Sequence, residues 1–176
     1  MHAISPAGHA GGVVPAGLAA IVRPVTTLLV LSIDAIRLAL DHRDVLEVVR
    51  AVAITPVSGC PDVIEGVVNL RGVVVPVYDL RRRVGLPATP IGVEEHLVVV
   101  SAGPRGLAII RASRVHEICK VEETQITAAR ETADPMIRGL VTLPDGLLVL
   151  CDLAAFLADA EADATALALS GVKAAS

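Results

Sequence analysis

The sequence predicts a mainly β protein built from small barrels, and three observations carry that prediction. Short runs of Val, Ile and Leu recur along the 176 residues, each closed by Gly, Pro or Asp. Only two stretches have a helical reading. A segment beginning at residue 64 recurs at residue 137, as expected when one structural unit is used twice. Apolar residues are 53% of the chain and charged residues 19%, which excludes a disordered polar chain.

The elements follow in order. Thr27–Ile33 is an aliphatic run, Asp34-Ala35 breaks it, and Ile36–Leu40 resumes it, which reads as a hairpin. Val45–Ile54 is a further strand, closed by the turn-rich stretch Thr55–Pro61. Pro61–Glu65 fits one helical turn, with Pro at its first position. Val67–Asn69 and Val73–Val77 are strand-like, and the second reads as core. Pro76 cannot donate to a ladder and predicts an edge position for the second. Gly85–Val93 holds Pro87 and Pro90 and reads as a linker. Leu97–Ser101 and Gly106–Ile110 are strands joined through the turn Gly103–Gly106. Val115–Val121, Ile137–Leu143 and Leu147–Cys151 complete the set. Asp152–Glu161 is the longer helix. Leu153, Phe156, Leu157 and Ala160 recur at helical spacing, and Asp152 stands where an N-cap belongs.

The repeat is gapless. Ile64-Glu-Gly-Val-Val-Asn-Leu70 aligns with Ile137-Arg-Gly-Leu-Val-Thr-Leu143, and Val77-Tyr-Asp-Leu80 with Leu150-Cys-Asp-Leu153. Val45-Leu-Glu-Val48 likewise resembles Val115-His-Glu-Ile118. The implied organisation is an N-terminal extension (1–26), a first barrel (27–90), a second barrel (91–160, terminal segments exchanged between barrels being allowed) and a C-terminal tail (161–176). A barrel of that size is marginal alone, so the halves are expected to pack together.

Composition removes several functions. Mean hydropathy is +0.67, yet Gly, Pro or charge interrupts every apolar run well short of the roughly 20 residues a spanning helix needs. Direct membrane insertion is therefore not expected. A net charge of −4, with one Tyr, one Phe and no Trp, offers neither a phosphate-binding footprint nor a stacking platform, so nucleic acid is not an expected partner. Cys60, Cys119 and Cys151 are odd in number and form no CxxC pair, which points to reduced thiols in a cytoplasmic protein. No His lies in a metal-ligand spacing and no Gly-rich phosphate loop occurs. No catalytic, metal or cofactor residue is assigned, and an enzyme is not expected.

The most specific stretch is Pro61-Asp-Val-Ile-Glu-Gly-Val-Val-Asn-Leu-Arg-Gly-Val-Val-Val-Pro-Val-Tyr-Asp-Leu-Arg81. Asn69 and Gly72 bracket a tight turn that sets Arg71 at a loop tip. There Arg71 can meet a partner's carboxylate, or close the turn on Glu65 or Asp79. The stretch resembles the signature of the CheW domain, the coupling module of bacterial chemotaxis. The resemblance runs from about Thr27 to Leu157. It departs at Ile109-Ile-Arg111, where Arg stands in place of the family's Asp.

The resemblance implies two SH3-like five-stranded barrels with short helices. It implies an adaptor that couples the cytoplasmic tip of a methyl-accepting chemoreceptor to the regulatory domain of a CheA-type histidine kinase, held at receptor arrays in the cytoplasm through protein contacts. The receptor side would comprise Val45, Glu47, Gly66, Arg71 and Gly72. The kinase side would lie around Val115, Glu117 and Ile118. A scaffold of a non-flagellar pathway is the alternative output. A small-ligand or enzymatic double barrel is the alternative of another class, and would need a polar pocket between the halves.

Overall fold

The computed structural model describes residues 24–81, 83–129 and 134–160. Eleven strands form two sheets among them. The first is six-stranded. It combines β1 (Val25–Ile33), β2 (Ile36–Asp41), β8 (Arg114–Glu122), β9 (Ile126–Ala128), β10 (Ile137–Leu143) and β11 (Gly146–Cys151), in the order β8-β1-β2-β11-β10-β9. The second is five-stranded. It combines β3 (Val45–Arg50), β4 (Ile64–Leu70), β5 (Val73–Asp79), β6 (His96–Ser101) and β7 (Leu107–Ala112), in the order β3-β6-β7-β5-β4. The mainly β, two-subdomain prediction holds, but the sheets are open and one has six strands.

The two sheets are copies of one plan. Each centres on a hairpin, β1–β2 or β6–β7, with an edge strand, β8 or β3, beside its first member. Each then adds a parallel neighbour, β11 on β2 or β5 on β7, followed by that neighbour's own hairpin partner. The sequence repeat maps onto the β4–β5 and β10–β11 hairpins. However, the sheets do not coincide with a division at residue 90. β1 and β2 join the later strands, and β6 and β7 join the earlier ones. Gly85–Val93 therefore links β5 to β6 within one sheet.

Burial explains the high hydropathy. Along β1, Leu28 and Val30 point into a core with Ala39, Val121, Val141 and Leu148. Leu29, Leu31 and Ile33 point the other way, into a core shared by both sheets. β6 does the same: Leu97 and Val99 fill the second sheet's own core, and Val98 and Val100 the shared one. Strands buried on both faces read as unbroken aliphatic runs. The shared core also takes Leu153, Phe156, Leu157 and Ala160 of α1 (153–160). Asp152 caps α1 by accepting from the Ala155 amide at 2.9 Å. The chain's one Tyr and one Phe meet there, with Tyr78 edge-on to Phe156 and ring centroids 5.6 Å apart.

Several local expectations change. Pro61–Glu65 is not helical: the chain turns at 62–63 and β4 begins at Ile64. β3 ends at Arg50, and Thr55 instead forms an antiparallel bridge to Val67. β5 is internal, not an edge. Pro76 is tolerated because pairing with β7 starts one residue later, at Val77. Val73 and Val74 are exposed rather than core. β1 starts at Val25, inside the expected extension. Residues 1–23 and the tail 161–176 lie outside the described residues.

Arg111 lies within the second sheet, beside the point where the sheets meet. Its side chain is 2% exposed. It donates to Glu95 at 2.6 Å, to Glu65 at 2.9 Å, and to the carbonyls of Thr89 and Pro90 at 2.8 and 2.9 Å. Asp79 lies 3.5 Å away. Next to it, Arg81 donates to Asp34 at 2.7 Å, to Ser113 at 3.0 Å and to Glu95 at 3.2 Å. These contacts tie the β1–β2 turn of one sheet to the strand ends of the other. The Arg that departs from the family pattern is thus internal structure and not partner surface. Removing one member of a buried charged cluster typically costs roughly 3–5 kcal/mol, because its partners stay buried and uncompensated. Arg111→Met is expected to lose about that much in urea unfolding. A variant as stable as wild type would show that the cluster holds nothing together.

Candidate functional site

Asn69-Leu-Arg-Gly72 folds as a two-residue hairpin turn between β4 and β5. Leu70 pairs with Val73, and the connecting residues Arg71 and Gly72 have φ of +52° and +90°. Positive φ at both positions matches the right-handed strand twist, and Gly supplies the second at no steric cost. The Asn69 side chain accepts from the Gly72 amide at 2.7 Å and braces the turn. Arg71 is thereby held out from the hairpin, with its side chain 79% exposed.

Its partner is Glu47, at 2.7 Å, and not Glu65 or Asp79, which Arg111 engages. Glu47 lies on β3, at the opposite edge of the same sheet from β4. The pair bridges a depression of ≈ 350 Å³ lined by Leu46, Glu47, Leu70, Arg71, Val73 and Leu107, with Val99 also on its wall. Leu46 is 57% exposed, and Val73 and Val74 are exposed as well. The result is an aliphatic surface with one paired cation and anion. An isolated pair this exposed adds little stability. A polar anchor ringed by aliphatics does suit partner recognition.

Of the residues predicted for this side, the structure brings Glu47, Arg71 and Gly72 together. Val45 begins β3 and is half-buried against the shared core. Gly66 is buried. A Cβ there would stand 2.3 Å from the Thr55 carbonyl oxygen and 2.8 Å from Ile54, so its role is close strand packing. Gly139, its counterpart in the repeat, is constrained less tightly, by the Ile126 side chain at 2.8 Å and the Thr127 carbonyl oxygen at 2.9 Å. Sequence reasoning missed Leu46, Val73 and Leu107. Alternation along β3 could have flagged Leu46, since its neighbour Val45 faces inward.

The other predicted surface lies on β8, the edge strand equivalent to β3. Val115 packs on the shared core, while Glu117 and Ile118 face out, Ile118 with 57% exposure. The turn equivalent to Arg71-Gly72 is Pro144-Asp145, where Asp145 pairs with Arg37 at 2.6 Å. The two halves thus share a frame but offer different chemistry. Among the described residues there is no His/Cys/Asp/Glu group able to hold a metal, and no helix is long and apolar enough to cross a membrane.

The family model for the CheW-like domain matches residues 27–161. The chemotaxis protein CheW of Klebsiella aerogenes is 30% identical over 112 residues, 61% of this chain and 67% of that protein. CheW of Bacillus subtilis is 34% identical over 107 residues, 58% and 68% respectively. FrzA of Myxococcus xanthus is 37% identical over 86 residues, 49% and 54%. In structure, the scaffolding protein TtCheW of Thermoanaerobacter tengcongensis aligns with a TM-score of 0.66 at 27% identity, covering 73% of this chain and 89% of that one. The chain belongs to the CheW-like domain family, to which the chemotaxis protein CheW gives its name.

Both buried glycines should be intolerant of a methyl group. Gly66→Ala and Gly139→Ala are each expected to cost roughly 1–3 kcal/mol, the usual range for overpacking. Chemical denaturation of each variant checks this. A midpoint equal to wild type at either position would mean that the facing backbone can yield.

Proposed function

We propose that the chain joins a chemoreceptor to a histidine kinase, without catalysing a reaction itself, and that the Arg71 face is its receptor side. The observation that carries this is the Arg71–Glu47 pair, raised on a rigid turn within exposed Leu46 and Val73. Such a face can seat an apolar helical segment while the charged pair reads the partner's polar groups. Glu47, Arg71 and Gly72 set the anchor. Val45 and Gly66 would act only indirectly, through the packing of β3 and β4. The partner would be the cytoplasmic tip of a methyl-accepting receptor, which places the adaptor in the cytoplasm at membrane-bound arrays through protein contacts alone.

The kinase side is assigned to the outward residues of β8, Glu117 and Ile118, with Val115 fixing the strand beneath them. β8 is an edge strand of the other sheet, so the two partners would meet different sheets. A regulatory domain of the CheA type, built from similar barrels, is the matching partner. A non-flagellar output is the second reading. The similarity to FrzA, 37% identical over 86 residues, is consistent with it.

Arg71→Glu reverses the anchor's charge and sets it against Glu47. It is expected to weaken capture of a receptor cytoplasmic fragment about tenfold or more, as for a central anchor, with the melting temperature unchanged. Wild-type affinity in the folded variant would remove Arg71 from the receptor side. Ile118→Asp is expected to spare receptor capture and to abolish co-purification with the kinase regulatory domain. Retention of the kinase would move that surface elsewhere.

A further inference from the structure

We propose that Glu65 is a proton-binding site within this ionic cluster, so that the stability of the fold responds to acidification. The first observation is a charge count. Asp34, Glu65, Asp79 and Glu95 converge on two guanidinium groups, Arg81 and Arg111. Four carboxylates against two cations leave the cluster over-supplied with negative charge, and burying unpaired charge is costly.

The second observation locates the excess. Glu65 Oε1 accepts from Arg111, but Glu65 Oε2 is buried and has no hydrogen-bond partner. Arg111 directs its other donors to Glu95, Thr89 and Pro90 and cannot satisfy both oxygens. Adding a proton to Oε2 would remove the buried excess charge while Oε1 keeps its bond.

The groups that face Glu65 are Arg111 on β7, Asp79 on β5 and Glu95 ahead of β6. Cys60 and Asp62 line the hollow of ≈ 240 Å³ that also admits Glu65 and Thr89. Burial lifts the Glu65 carboxyl above its ordinary 4.5, Asp79 and Glu95 add to the lift, and Arg111 opposes it. Other carboxylates move the opposite way. Hydrogen bonds from Arg81 to Asp34 and from Arg43 to Asp41 hold those two below 3.8. A carboxyl raised on folding contributes stability that is fully present below its unfolded value and lost as pH rises through its folded value. Glu65 is thus the member of the cluster that favours the folded state on mild acidification.

The test needs no partner. Carboxyl-carbon NMR of the full chain should show Glu65 titrating above 4.5. In parallel, Glu65→Gln cannot take up the proton and does not bury its charge. The urea midpoint of this variant should therefore rise relative to wild type as pH goes from about 5 to about 7.5. A Glu65 titration at or below 4.5, or midpoints that run parallel across that interval, overturns the proposal. If Glu65→Gln fails to fold, the wild-type titration alone decides.

Discussion

The two central hairpins, β1–β2 and β6–β7, are buried on both faces, and the rest of the structure depends on that. One face of each hairpin completes its own sheet's core, and the other meets the opposite hairpin. A sheet of five or six short strands cannot bury enough surface by itself to offset the entropy of ordering it. The shared layer supplies the difference and fixes the sheets against each other. Edge strands β3 and β8 reach that central layer only through Val45 and Val115, and each keeps one unpaired edge. Their alternating exposure is the counterpart of the unbroken burial at the centre.

This arrangement decides what could be read from the residues. Every strand but the three-residue β9 was visible, because β-branched runs bounded by Gly, Pro and Asp are local signals. The hairpin turn at Arg71-Gly72 was also legible, because positive φ selects Gly. The sheet membership was not. Nothing local in Ile36–Leu40 says that its parallel neighbour is β11, over a hundred residues away. Pro76 misled for a related reason. A missing donor excludes a ladder bond at one residue, but a strand can begin its second pairing just after it. Val73 and Val74 resembled core because they continue into Val75 and Val77, and only the position of the turn shows that they lie beyond the packed region.

The candidate site was half legible. Motif residues Arg71, Gly72 and Glu47 converge, although Glu47 comes from a different part of the chain from the hairpin. The aliphatic members Leu46, Val73 and Leu107 were hidden among many similar residues, since exposure is a property of the fold. Arg111 shows the converse. In the sequence it was a departure from the family pattern near a presumed partner surface. In the structure it is almost fully buried, holding the 89–90 backbone and three carboxylates around itself. A charge in an apolar strand marked something important, but did not say whether that was a surface or an internal cluster.

The interleaving of the strands carries one more consequence. A backbone nick between Leu86 and Gly92 would separate the chain into pieces that resemble its two halves. Neither piece would hold a whole sheet, because each contributes a central hairpin to the sheet of the other. Such fragments should be poorly folded alone and regain the fold by complementation. The two copies of the repeat are thus laid out in one chain as an intertwined pair, each lending its central hairpin to the sheet of the other.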